Sequence, residues 1–357
     1  MRKIKQQIVI LNLHPYMITM KKSVLIIALL CFGVSHFSFS QYNGDLASFP
    51  GKWIYTNDNL SNEWFAERFY KMNAAELQKY HSTTEKLVNY LHQQPIAQNP
   101  LGVTLNAKSR SAYNHYDHER FPVKPNERVK AEIFIPFCTL IRRNDKVEYA
   151  CTEVSYIDLV TNDESRMFEP AMNYDQLDDK QAVNQYKEIF YLPAKLLDLG
   201  SGVYLYDWYY ENRIVVARND RPFWLPITNK EFINRMMIYY AASLKEGKIP
   251  QMVIDALKSE IATIPPEMMN MPAYVNGNTG RPLTGICNMD EESAMALYKF
   301  NTDYFDVSLL RTHVQLITIT IEGHADSPVW GELNAHRVWE FVQELKGQDL
   351  LNLLDVN

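Results

Sequence analysis

The chain has 357 residues with 36 basic against 42 acidic side chains, a formal net charge of −6, and is 46% hydrophobic. That length and apolar content can build one large domain or two modest ones. The acidic balance, with no basic run interleaved by aromatics, argues against nucleic acid or an anionic lipid face as a partner.

Residues 1–40 read as an upstream segment followed by a cleavable signal peptide. Lys21-Lys22 precede an apolar run from Val24 to Val34, and Ser38-Phe39-Ser40 places small residues where a signal peptidase reads them, ahead of Gln41. The run is shorter than the ~20 residues a spanning helix needs, so no stable membrane span is expected after cleavage. Cys31 lies inside the run behind Leu29 and Leu30, which argues against a lipid anchor. The protein is therefore expected in the periplasm or outside the cell, beginning at Gln41. The leader holds five basic residues and no acidic ones, leaving 31 against 42, a net of about −11.

In chain order, Asn73-Ala74-Ala75-Glu76 has the form of a capping box, and Leu77, Tyr80, Leu87, Val88 and Leu91 follow as an apolar stripe that Pro95 stops. Residues 96–129 are polar with Pro100, Pro122 and Pro125, and read as a long irregular connection. From Val129 to Tyr156, β-branched and aromatic residues flank Arg142-Arg143-Asn144-Asp145-Lys146, the composition of a hairpin. A second hairpin is expected over Val203–Arg218, turning at Glu211-Asn212. Thr228-Asn229-Lys230-Glu231 then starts a helix, with Ile227 stapled to Phe232 and Gly247 closing the end. Pro250 opens another helix, ended by Pro265-Pro266, and 265–290 is a loop rich in Pro, Gly and Asn. Val314–Ile321 alternates like a strand, and a helix through Ala335, Val338, Trp339, Val342 and Leu345 is expected to end at Gly347.

The fold class that follows is α+β, with antiparallel β-hairpins forming a sheet packed by amphipathic helices. Beyond the leader, the organisation is a helical region with a polar connection over 41–128 and a central α+β domain over 129–264. A loop-rich linker with a strand and helix occupies 265–357 and can belong to the same domain.

Motifs with mechanical requirements are missing: no GxSxG, HExxH, CxxC pair, P-loop or GxGxxG sits in the needed context, and no cofactor is named by the sequence. Two constellations remain. His115, Asp117, His118 and Glu119 crowd imidazoles and carboxylates that could exchange protons or ligate a metal, with His324 and Asp326 as distant partners. Tyr204, Tyr206, Trp208 and Tyr210 alternate along a strand and share one face, opposite Arg213, Val215, Ala217 and Asn219 in the expected register. Flat aromatic faces suit a carbohydrate ring or a peptide segment, whereas the same rings could instead be core beneath the helix of Phe232, Met236 and Tyr240. The favoured function is a secreted or periplasmic binding or interaction protein with an aromatic-rich surface. The alternative is a metal-assisted hydrolase built on His115–Glu119, so whether the protein is an enzyme stays open.

One bond is derived from register. With Asn144 and Asp145 as the hairpin turn, Arg143 faces Lys146, and counting outward equally on both strands sets Cys138 opposite Cys151. Alternation makes them a non-hydrogen-bonded pair with Cα atoms about 4.5 Å apart, close enough for a disulfide in an oxidising compartment. Cys287 is then the odd thiol.

Overall fold

The computed structural model describes residues 44–57, 72–111, 128–152, 155–163, 177–208, 211–276, 284–291, 293–322 and 332–355. The strands are β1 (Trp53–Asn57), β2 (Val103–Ser111), β3 (Ala131–Arg143), β4 (Lys146–Ala150), β5 (Tyr156–Thr161), β6 (Phe190–Tyr191), β7 (Lys195–Asp198), β8 (Tyr204–Trp208), β9 (Glu211–Ala217), β10 (Trp224–Pro226), β11 (Tyr274–Asn276), β12 (Ala294–Phe300) and β13 (Leu316–Glu322). The helices are α1 (Ala74–His92), α2 (Pro95–Gln98), α3 (Lys180–Lys187), α4 (Asn229–Lys245), α5 (Gln251–Ile261), α6 (Glu332–Glu344) and α7 (Gly347–Leu351). The class is α+β and mostly antiparallel, as the sequence predicts.

A nine-stranded sheet runs in the order β1-β2-β3-β5-β13-β9-β8-β7, with β4 paired to β3. Its strands come from 41–128, 129–264 and 265–357 alike. Among the described residues only β1 and β2 pair in parallel. One face presents Leu105, Ile133, Ile135, Phe137, Leu159 and Ile319, and against it pack Leu87 and Leu91 of α1, Phe341 and Val342 of α6, and Leu350 of α7. Each such side chain, removed from water, contributes about 1.5–3 kcal/mol. A second core lies between α3, α4 and α5 and a smaller sheet of β10, β12, β11 and β6, where Phe232, Met236, Tyr239 and Leu257 meet Ala273, Val275 and Leu297.

The helix starts follow the sequence closely. At α1 the Asn73 side chain accepts the Glu76 N–H and the Glu76 carboxylate accepts the Asn73 N–H, both at 3.0 Å, a complete capping box. At α4 half of the box forms: Thr228 accepts the Glu231 N–H at 3.2 Å, while the Glu231 carboxylate goes to Arg235 and Lys299 at 2.8 and 2.9 Å. Ile227 and Phe232 are both fully buried in the same core, as a staple requires. Gly247, at φ +69°, ends the helix in the left-handed conformation, with the Lys248 N–H on the Ser243 carbonyl at 2.9 Å.

The first hairpin turns at Asn144 and Asp145, both at positive φ, and Arg143 stands opposite Lys146. Cys138 and Cys151 are bonded, with Cα atoms 4.4 Å apart, and Cys287 is buried outside this pair. Together with the absence of any helix long and apolar enough to cross a membrane among the described residues, this bond is compatible with an exported protein. The leader itself lies outside the described residues.

Four expectations are corrected. Where an irregular connection was expected after Pro95, α2 and then β2 form: Val103, Leu105 and Ala107 alternate into the core, a strand pattern carried by residues too small or too few to stand out without its neighbours β1 and β3. The first hairpin closes at Ala150, and Tyr156 begins the separate strand β5. In the second hairpin Trp208 stands opposite Glu211 and Asp207 opposite Asn212, so Tyr206 faces Arg213 and Tyr204 faces Val215. The turn therefore precedes Glu211, two residues earlier than expected, because β9 is held on its other side by β13, where Ile321 faces Asn212 and Ile319 faces Ile214. Finally, Gly347 begins α7 instead of capping α6. A Cβ there would lie 1.9 Å from the Gly200 carbonyl oxygen, and its N–H donates to the Leu199 carbonyl at 2.7 Å, so close backbone approach is what requires glycine.

Candidate aromatic cleft

The face of the large sheet opposite the main core carries Tyr204 and Tyr206 of β8, Val215 of β9 and Leu316 of β13. Ala217 ends β9, and the chain turns through Arg218–Phe223 into β10, which pairs with the far end of β12 so that Trp224 stands opposite Phe300. This return lays Phe223, Trp224, Phe300 and Tyr304 over the tyrosines. Phe223 sits edge-on to Tyr304, Phe300 and Trp224 at 5.0, 5.1 and 5.2 Å, and Trp224 edge-on to Tyr206 at 5.8 Å, separations that favour aromatic pairs. Lys195 places its ammonium 3.5 Å from the centroid of Tyr204, a cation–π contact.

The cover is fixed by hydrogen bonds. The Tyr304 hydroxyl accepts the Arg218 N–H at 2.8 Å and donates to the Gln315 carbonyl at 2.5 Å, while Asn301 donates to the Phe223 and Pro222 carbonyls at 3.0 and 2.8 Å. Between cover and sheet remains a cleft of about 280 Å³ lined by Tyr206, Val215, Arg218, Arg221, Phe223 and Trp224, together with Asn219 and small residues. Tyr206 is 6% exposed, and burial pushes its phenol up to about 12, so it stays a neutral donor near pH 7. Arg218 donates to both carboxylate oxygens of Asp220, from Nε at 2.9 Å and from Nη2 at 2.7 Å, and this bond holds the Asp220 carboxyl below its ordinary range. The Arg218 Nη1 and Trp224 Nε1 atoms are enclosed and have no acceptor. Each donor left unmade in this way costs about 1–3 kcal/mol.

A polar row continues across the same face. Tyr206 faces Arg213, Arg213 faces Thr320 and Thr320 faces Asp158, each on the next strand. Asp158 and Thr320 are buried, and so is Glu132, which lies on β3. Asp and Thr at buried strand positions were readable as breaks in apolar alternation, but their meeting in one row depends on the pairing of β5, β13 and β9.

The predicted platform is thus placed in part. Tyr204 and Tyr206 share the face as expected. Tyr210 lies outside the described residues, as do the side chain of Trp208 and the whole of His115, Asp117, His118 and Glu119, and likewise His324 and Asp326. Among the described residues no group of three or more His, Cys, Asp or Glu is placed to hold a metal ion. For Tyr204 and Tyr206 the expectation that the rings lie beneath α4 is overturned, since Phe232, Met236 and Tyr239 cover the smaller sheet and Phe223, Trp224 and Tyr304 cover these two tyrosines. Sequence reasoning missed Phe223, Trp224 and Arg218. The proline of Arg221-Pro222-Phe223-Trp224 is a local turn signal that could have marked this segment, but nothing local encodes that the chain folds back over β8.

Compared with known proteins, the chain matches no family model, no curated protein and no solved structure. The cleft's own chemistry is what bears on function.

Proposed function

We propose that the protein is an exported binding protein that holds one sugar ring of a carbohydrate in the cleft between β8–β9 and the Arg218–Trp224 turn. The observation that carries this reading is the half-buried Trp224 ring set beside Tyr206 and Phe223, with guanidinium and amide groups of Arg218, Arg221 and Asn219 alongside. An apolar ring face flanked by directional donors is what a pyranose needs, because its C–H face packs on an aromatic while its hydroxyls take hydrogen bonds. At about 280 Å³ the cleft falls just under the ~300–1,000 Å³ typical of drug-sized sites, which suits a single ring. The leader-like segment before Gln41 and the Cys138–Cys151 bond support export.

The test is titration of the purified protein with neutral and acidic oligosaccharides, followed by tryptophan fluorescence and calorimetry. Binding is expected and is lost in Trp224→Ala, provided circular dichroism shows that variant folded. If no saccharide binds, or if Trp224→Ala binds as well as the parent, the reading fails.

A further inference from the structure

The charge at the mouth of the cleft is set by two turns that meet there. Arg218–Trp224 carries Arg218, Asp220 and Arg221, and the loop from Asp303 to Ser308 lies against it, since the Asp303 carbonyl accepts an Arg221 N–H at 3.3 Å. The Arg218 side chain is 7% exposed and its guanidinium fork is filled by the Asp220 carboxylate, which is itself 59% exposed. Asp306 Oδ1 accepts the Ser308 N–H and hydroxyl at 2.9 and 2.6 Å. These bonds hold the Asp306 carboxyl below its ordinary range, and the charges of Arg221 and Arg218 add to the shift. Lys195, on β7, sits over the Tyr204 ring and does not line the cleft. Two guanidinium groups therefore stand among three carboxylates, those of Asp220, Asp303 and Asp306, and the mouth keeps the sign of the whole chain, whose formal net charge is −6.

From this geometry we propose that Asp220 and Asp306 determine the class of ligand: the cleft takes a neutral hexose unit and turns away uronates and other anionic sugars. The proposal rests on the carbohydrate reading above. A sugar hydroxyl both donates and accepts, so it needs acceptors beside donors, and an ionised carboxylate offers about four lone-pair sites. Arg218 uses one site on each Asp220 oxygen, which leaves exposed lone pairs for a hydroxyl. Arg221, with one N–H on Asp303, and Asn219 keep donors for the sugar's oxygens. Hydrogen bonds to such charged groups are shorter and stronger than neutral ones. A ligand carboxylate gains little in the same place, because the Arg218 fork is occupied and Asp220 and Asp306 oppose a second anion brought beside them. The same oxygens thus accept a neutral sugar and repel a charged one.

The experiment titrates the full chain with matched trimers of a neutral hexose and its uronate, oligogalactose against oligogalacturonate and oligomannose against oligomannuronate, by calorimetry at low and at high salt. The neutral trimer of the better pair is expected to bind at least ~10-fold tighter than its uronate at low salt, which is well inside the cost of placing like charges together. High salt is expected to narrow the gap by strengthening the uronate, with the neutral sugar unchanged. Asp220→Asn/Asp306→Asn keeps an acceptor oxygen at both positions and removes both charges, so the uronate is expected to rise to the neutral level while neutral binding holds. Asp306→Asn alone, which keeps the Oδ1 acceptor for Ser308, is expected to close part of the gap and serves if the double variant does not fold. A uronate that binds the parent as tightly as its neutral match overturns the inference and leaves the carbohydrate reading standing. A gap that both variants leave unchanged overturns the assignment to these carboxylates. Failure of every trimer to bind overturns the carbohydrate reading together with the inference.

Discussion

Opening the Cys138–Cys151 bond tests the register argument in energetic terms. The cysteines are 13 residues apart, and in the chain-entropy account freeing a loop of that size in the unfolded state costs the fold about 3 kcal/mol. The Asn144-Asp145 turn already favours closure in the unfolded hairpin, so the measured value falls at or below that figure. With an unfolding entropy of about 2.1 cal/mol/K per residue, a chain of this length converts 3 kcal/mol into a Tm drop of about 4 °C. The comparison is the oxidised parent against a Cys138→Ala/Cys151→Ala variant and against reduced parent, melted by circular dichroism in the same buffer. The double variant and the reduced parent should agree. Free alkylation of Cys138 and Cys151 in oxidised, unfolded protein would refute the pairing, and a variant that melts with the parent would refute the loop-entropy estimate.

Three further perturbations follow from individual contacts. Tyr304→Phe deletes the buried hydroxyl between the Arg218 N–H and the Gln315 carbonyl and should cost about 1–3 kcal/mol in urea unfolding, with a loosened cleft cover seen as faster hydrogen exchange at Arg218. Gly347→Ala drives a methyl group against the Gly200 carbonyl and should cost at least the ~1–3 kcal/mol of core overpacking, whereas Gln348→Ala beside it should be tolerated. The Arg311 guanidinium, hydrogen-bonded to Glu76, holds that carboxyl below its ordinary 4.5, so its contribution is fully present above about pH 4.5 and is lost as pH falls through the lowered value. A Tm measured from pH 7 to 3 should therefore fall less steeply in Glu76→Gln than in the parent, which starts higher at pH 7. Equal slopes would remove Glu76 from the account.

Local signals were legible because they depend on residues close in the chain. The Asn73 and Thr228 caps, the Gly247 terminus and the Asn144-Asp145 turn each follow from side chains within a few positions, and the turn alone fixed the pairing of Cys138 with Cys151. Alternation likewise set Tyr204 and Tyr206 on one face. It could not set the register of β8 on β9, since a slip of two residues returns every side chain to the same face. That choice came from β13, which arrives about a hundred residues later in the chain and locks β9 from its other side. The strand β2 was illegible for a related reason, as Val103, Leu105 and Ala107 declare themselves only when β1 and β3 flank them. What covers the tyrosines, which donors meet at Arg218 and Trp224, and why Gly347 must be glycine are likewise set by segments distant in sequence. The sequence by itself determined the capped helices, the first hairpin and the shared face of Tyr204 and Tyr206, where neighbours along the chain supply the interactions. Tertiary structure decided the cleft, because its walls are held together by pairings and buried hydrogen bonds across chain separations that no local pattern encodes.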